Sequence, residues 1–291
     1  MIALGIDVGG TKISYGLINT EGNFVNETQK IPTPSSAESI AEVLKNIIIS
    51  YEKECSFVAI ATAGTVNKEN SKVIGSTANL PFGYKEINFQ SLSNKKVFIE
   101  NDANCAAYAE YKIGAAKGFD NSITLTLGIG VGGGIIVDGK LLKGKNGAAG
   151  EMHFALDRNM KRKCTCGTYD CFESYASGNG LRQTGVDITG QEDISTYKII
   201  DGVKNNDPDC KMAHSIWQKD IALGILGLAN IFDPDCVVLS GSMGEFVDCN
   251  YIENFVNEKL VTTPIKIFKA KMGNHSGMIG AALLGFDLIK L

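Results

Sequence analysis

Between two apolar, strand-like runs, Ser122–Leu127 and residues 135–137, the chain carries Gly128-Ile129-Gly130-Val131-Gly132-Gly133-Gly134, five glycines in seven residues. Glycine weakens a strand through its conformational entropy, so a run of this kind between strands marks close approach of a ligand to the backbone. A smaller unit of the same type opens the chain. Apolar residues 2–7 lead into Val8-Gly9-Gly10-Thr11-Lys12 and then into a second strand, residues 13–18. Backbone N–H groups exposed around such glycines bind anions, with Thr11 adding a hydroxyl and Lys12 a charge. The Walker pattern is absent, which excludes a P-loop protein. Two strand–glycine loop–strand units are therefore expected to face each other across a cleft and hold a nucleoside triphosphate; for the first unit alone, a plain tight turn is the competing reading.

Residues 97–110 form the second constraint. A β-branched lead-in, Val97-Phe98-Ile99, meets an alanine-rich segment at Asn101 and Asp102, a strand-to-helix join. A carboxylate at a helix N-terminus is favoured in its ionised form by the dipole and by free N–H groups. Asp102 is thus either a helix cap or a group able to accept a proton at neutral pH.

The remaining elements follow from pattern. Residues 35–51 show helical spacing behind a serine cap, and Phe57–Thr62 reads as a buried strand running into Gly64 and Thr65. Residues 79–84, with Asn79 and two aromatics, form either a sugar-holding loop or an ordinary surface loop. Residues 185–193 read as an exposed loop, Thr196–Lys204 and residues 211–232 as helices, and residues 278–289 as a final apolar helix. His214 and Trp217 read as packing or surface residues, and a strand at residues 236–239 ends in Gly241-Ser242.

With 291 residues and 44% hydrophobic content, one large or two medium domains can bury their cores without cross-links. A net charge of −4 excludes binding to nucleic acid or anionic membrane by bulk charge. No apolar run reaches spanning length and the N-terminus lacks a signal-peptide pattern, so a cytoplasmic location is expected. Eight cysteines in a reducing compartment point to metal ligands or inert thiols. Cys164, Cys166 and Cys171 have the spacing of three thiolates of a tetrahedral zinc site, with an upstream histidine as the natural fourth ligand.

Taken together, the Asp7–Lys12 hairpin, Glu100-Asn101-Asp102-Ala103-Asn104, the run of residues 128–134, Gly150-Glu151 and Cys164-Thr165-Cys166-Gly167 resemble, in order and nearly end to end, the ROK family of sugar kinases and sugar-responsive repressors. The resemblance implies an α/β, two-domain, actin-like (ribonuclease H-like) fold with an interdomain cleft: residues 1–115, completed by a C-terminal helix at 278–291, on the sugar side, and residues 116–277 on the nucleotide side. It implies ATP with Mg2+ as cosubstrate, held by Asp7, Gly9, Gly10, Thr11, Lys12, Gly130, Gly132, Gly133, Gly134, Gly241 and Ser242. Asp102 resembles the general base, while Gly64, Thr65, Asn79, Asn101, Glu151, His153 and Glu173 resemble sugar contacts. The implied activity is phosphorylation of the 6-hydroxyl of N-acetylmannosamine in sialic acid catabolism. Glucose or another hexose is the alternative, and a non-catalytic sugar sensor a third reading. The first hairpin starts within ten residues of the N-terminus, so no DNA-binding module is expected before it. A sugar is the expected partner, with a homodimer or homotetramer and neither nucleic acid nor membrane.

The metal is where the chain departs from the family pattern. A gapless match places His153 on the family's glycine, Phe154 on its histidine, and Asp170 on the glycine before the last cysteine. A one-residue displacement turns a side chain away in most backbone geometries. The expectation is therefore a metal-free loop held by packing around Phe154 and Phe172; the alternative is zinc completed by water, Asp170 or His153.

Overall fold

In a computed structural model that describes residues 1–75 and 80–290, the elements run in chain order as β1 (Ile2–Val8), β2 (Lys12–Asn19), β3 (Gln29–Pro32), α1 (Ala37–Tyr51), β4 (Phe57–Thr62), β5 (Val97–Asn101) and α2 (Asp102–Ile113). They continue as β6 (Ser122–Leu127), β7 (Val131–Val137), β8 (Lys140–Leu141), α3 (Glu173–Ala176), α4 (Gly178–Thr189), α5 (Thr196–Lys204) and α6 (Pro208–Phe232). The last are β9 (Cys236–Ser240), α7 (Cys249–Asn257), β10 (Lys266–Lys269) and α8 (Ser276–Lys290). Asn79, expected to touch a sugar, lies outside the described residues.

The chain divides into two compact units: residues 1–118, 134–150 and 271–291, and residues 119–133 with 151–270. The first boundary falls near the expected residue 115, but Gly134–Gly150 belongs with the first unit rather than the second. The reason is packing: a Cβ on Gly134 would lie 2.5 Å from the Ala107 Cβ of α2, and Lys143 pairs with buried Glu100.

The first unit holds a five-stranded sheet in the order β3-β2-β1-β4-β5. The hairpin strands β1 and β2 are antiparallel, whereas β1, β4 and β5 run parallel. Every residue of β4 is buried, as expected of a central parallel strand covered on both faces. One face packs on α1 through Leu4, Ile6, Ile40, Leu44 and Ile60. The other packs on α2 and α8 through Ala3, Phe57, Ala59, Cys105, Met278 and Phe286. Ser36 caps α1 by accepting from the Ser39 N–H at 3.2 Å, as the serine-cap reading anticipates.

The second sheet has the order β10-β9-β6-β7-β8, parallel through β6, β9 and β10. Around it in the second unit, Trp217 of α6 is fully buried and donates its indole N–H to the carbonyls of Ala176 and Ser177 at 2.9 and 3.1 Å. The expectation of a loop at residues 185–193 is corrected: α4 continues through Thr189 and ends only at Gly190, whose φ of 69° supplies the left-handed cap. Its polar sequence misleads because Arg182, Gln183 and Asp187 occupy an outer face while Leu181, Gly185 and Val186 are buried. Among the described residues no helix is long and apolar enough to cross a membrane.

Candidate active site

In the first unit the carboxyl ends of the parallel strands meet. Asp7 lies next to the end of β1, in register with Ala61 of β4, and Asn101 ends β5 in register with Thr62. Two inter-strand spacings place Asp7 and Asn101 about 10 Å apart along one edge, the edge at which open α/β sheets bind ligands.

Asn101, not Asp102, is the cap of α2. Its Oδ1 accepts from the N–H groups of Ala103 and Asn104 at 2.9 and 3.1 Å, and its Nδ2 donates to the Gly64 carbonyl at 3.1 Å. Asp102 takes the first helical position with its surface exposed, and its Oδ1 accepts from the Ala103 N–H at 2.8 Å. With the neighbouring amide as the cap, the exposed carboxylate stands at the positive end of the helix dipole.

Behind this join stands a layer that sequence reasoning missed. Glu100 is buried and accepts from the Asn101 N–H at 2.8 Å, from Asn104 Nδ2 at 3.1 Å and from Asn70 Nδ2 at 2.8 Å; Lys143 closes the set with an ion pair. Asn70 also holds the Ile99 carbonyl at 2.9 Å and adopts φ of 54°. Only the Glu100–Asn104 spacing, i to i+4 across the helix start, was readable beforehand.

The Asp7–Lys12 hairpin is closed by the Gly9 N–H donating to the Lys12 carbonyl at 3.0 Å and braced by the Thr33 hydroxyl on the Gly9 carbonyl at 2.6 Å. Gly10, Thr11 and Lys12 are exposed. Burial, then the charge of Asp102, push the Asp7 carboxyl up to about 7, with Lys12 pulling the other way. The start of α8 lies against it, since a Cβ on Gly277 would sit 3.0 Å from Asp7 Oδ2.

The glycine run has structural causes as well as openings, which corrects the expectation that ligand approach alone explains it. Gly134 is fixed by α2, and a Cβ on Gly130 would come within 2.5 Å of Glu173 Oε2. Gly128 has open space around its Cβ position, and Gly132 keeps partial exposure. None of the run has left-handed φ, so what the backbone needs there is room rather than a special conformation. In the second unit the loop is held by the Gly178 N–H on the Gly128 carbonyl at 2.8 Å and by the Val131 N–H on Glu173 Oε2 at 3.0 Å. Gly241, with φ of 83°, and exposed Ser242 follow β9, and the Met243 N–H donates to the Leu127 carbonyl at 2.9 Å, so the turn abuts the end of β6. A cavity of about 530 Å³ in this unit is walled in part by Ile129, Thr165, Glu173, Asn179 and Arg182.

The expectation that the displaced His153 turns away from the thiols is corrected. His153, Cys164, Cys166 and Cys171 place one ligand atom each within 4.8 Å of one another. His153 Nδ1 is 3.8 Å from Cys164 Sγ, and Cys166 Sγ is 3.4 Å from Cys171 Sγ. The displaced imidazole reaches the thiols because residues 154–156 pair with the cysteine loop: the Phe172 N–H donates to the Phe154 carbonyl at 2.8 Å, Ala155 bridges Cys171, and the rings of Phe154 and Phe172 stack at 4.9 Å. The aromatic packing is present as expected, and it is what aims His153. Its Nε2 lies 3.9 Å from Glu151 Oε2, too far for a hydrogen bond. Asp170 is no ligand. With φ of 56° it fills the family's glycine position by accepting the N–H groups of Arg158, Lys161 and Arg162 and the Tyr175 hydroxyl. Burial opposes its charge, but these donors hold the carboxyl down at about 2. Three sulfurs and one imidazole nitrogen at these separations fit a tetrahedral zinc ion.

The profile of the ROK family matches residues 3–287. The chain belongs to the ROK family. Among its relatives, a glucokinase of Streptomyces coelicolor is 30% identical, covering 97% of this chain and 96% of that protein, and an N-acetylmannosamine kinase of Yersinia pestis is 31% identical, covering 96% and 97%. A ROK family glucokinase from Streptomyces griseus, solved in complex with glucose and AMPPNP, superimposes with a TM-score of 0.80 at 28% identity over 98% of this chain and 99% of that one. The fold of this ROK chain is therefore the actin-like α/β fold of the family's sugar kinases.

Proposed function

We propose that this ROK protein is an ATP-dependent sugar kinase that transfers the γ-phosphoryl group of magnesium–ATP to the 6-hydroxyl of N-acetylmannosamine. The observation that carries the kinase reading is the division of labour at the start of α2: Asn101 does the capping and Asp102 is left exposed at the dipole's positive end. Phosphoryl transfer asks a protein mainly for alignment and charge neutralisation. As the 6-oxygen bonds to the γ-phosphorus and the bond to the ADP oxygen breaks, the hydroxyl proton passes to the Asp102 carboxylate. In the first unit Asn101, braced on the Gly64 carbonyl and backed by Glu100, is the proposed sugar contact with Thr65; in the second unit the proposed sugar contacts are Glu151 and Glu173. In the first unit the proposed phosphate contacts are Gly10, Thr11 and Lys12; in the second unit they are Gly128 and Gly132, with Gly241 and Ser242 the proposed adenosine contacts.

His153, Cys164, Cys166 and Cys171 hold zinc in this reading. When bound, the ion would supply a cross-link that fixes the cysteine loop.

Glucose is the second substrate reading, favoured by the glucokinase relative at almost the same identity as the N-acetylmannosamine kinase. A coupled ADP-release assay across hexoses and N-acetylhexosamines tests both. A kcat/KM for N-acetylmannosamine at least tenfold above that for glucose supports the first; the reverse order replaces it with the second, and no turnover on any sugar removes the kinase reading.

A further inference from the structure

Glu173 stands between two parts of the second unit that otherwise have separate roles. Its Oε2 accepts the Val131 N–H at 3.0 Å, at the end of the glycine loop, and Gly130 has no room for a side chain because of that same oxygen. Its Oε1 accepts the Thr165 hydroxyl at 3.0 Å, and the Cys164 thiol lies 3.7 Å away. Thr165 sits between two of the cluster cysteines, and Glu173 opens α3 two residues after the third, so both ends of the bridge are anchored in the cysteine loop. A second tie, the Gly178 N–H on the Gly128 carbonyl at 2.8 Å, fixes the other side of the glycine loop to the start of α4.

We propose that Glu173, held by Thr165, is a positioning residue that couples metal binding in the cysteine loop to the order of the glycine loop at residues 128–131. The Thr165 hydroxyl is the donor that keeps Oε1 in place and, through the same carboxylate, Oε2 on Val131. Without the metal the Cys164–Cys171 segment loses its cross-link, Thr165 moves with it, and the carboxylate loses the partner that aims it. Coupling of this kind is reciprocal: a ligand that fixes the glycine loop tightens metal retention by the factor by which metal tightens that ligand. The inference deepens the proposed function in that it rests on the glycine loop as the phosphate loop. Its primary readout nevertheless needs no nucleotide.

The experiment is backbone hydrogen exchange of the peptide covering residues 128–133 in zinc-loaded protein, in chelated protein, and in zinc-loaded Thr165→Val and Thr165→Ser. Zinc content is measured on each sample, and the AMPPNP dissociation constant on the loaded ones. Loss of one solvent-exposed hydrogen bond of typical strength corresponds to about a fivefold effect. We expect exchange in this peptide to rise about fivefold on chelation. Thr165→Val should reproduce that rise and weaken AMPPNP by a similar factor while retaining one zinc per chain, and Thr165→Ser, which keeps the donor, should behave as wild type. Exchange unaffected by chelation, equal behaviour of the valine and serine variants, or failure of the protein to bind zinc overturns the proposal. If the exchange results hold and AMPPNP does not bind, it is the kinase reading that fails.

Discussion

Asp7→Asn separates the cost of a buried carboxylate from its service to the site. An aspartate in the unfolded chain titrates near 3.8, whereas burial and the nearby Asp102 raise folded Asp7 to about 7. The native state therefore holds a proton that the unfolded chain has given up, so this group's contribution to stability is greatest below about pH 4 and is lost as pH rises through 7. A difference of about 3 units at about 1.4 kcal/mol each corresponds to about 4 kcal/mol. Water still reaches part of Asp7 and screens its charge, which brings the figure to about 2 kcal/mol. Asp7→Asn removes the titration while keeping the shape. In urea unfolding of ligand-free protein it should match wild type near pH 4 and exceed it by about 2 kcal/mol at pH 8, with phosphorylation lost. Asp102→Asn removes only the smaller of the two causes and should flatten the wild-type pH slope by less than half. A stability difference between Asp7→Asn and wild type that is constant from pH 4 to 8 would refute the reasoning.

Asp102→Asn is also expected to lower kcat by two to four orders of magnitude, the usual cost of losing a general base, with sugar affinity near wild type by calorimetry; near-normal turnover excludes Asp102 as the base. Gly10→Ala and Gly132→Ala should raise the KM for ATP well above any change in the KM for sugar, whereas equal effects on both would mark these glycines as structural. Gly134→Ala, whose new methyl meets Ala107 and the Ala103 carbonyl, should instead cost about 1–3 kcal/mol of stability, read as a lower thermal midpoint with little change in the KM for ATP. Elemental analysis of protein purified without chelator should give one zinc per chain, lost in Cys166→Ser and in His153→Ala; full zinc in His153→Ala would show that the imidazole is not the fourth ligand.

Features set by near neighbours were legible in the chain itself. Phe57–Thr62, Ser122–Leu127 and Thr196–Lys204 have the limits their residue patterns suggest, because β-branched runs and capped periodic segments carry their own boundaries. The strand-to-helix join that places Asp102 was legible for the same reason. Local sequence did not reveal which side chain would cap α2, since Asn101 and Asp102 are both good caps and the tie to the Gly64 carbonyl comes from the bend that follows β4. It left Glu100 as a member of a motif, while Asn70 and Lys143, which secure it, arrive from distant segments. A gapless count put His153 one place away from usefulness. Side-chain direction depends on the strand pairing that a segment finds, and the bridge of Ala155 to Cys171 with the Phe154–Phe172 stack turned the imidazole onto the thiols. The residue types in the chain supplied a carboxylate at a helix start, two glycine-rich loops and three closely spaced cysteines. Which atoms meet was decided by packing, because burial and hydrogen bonding act between groups that only the folded chain brings within a few ångströms.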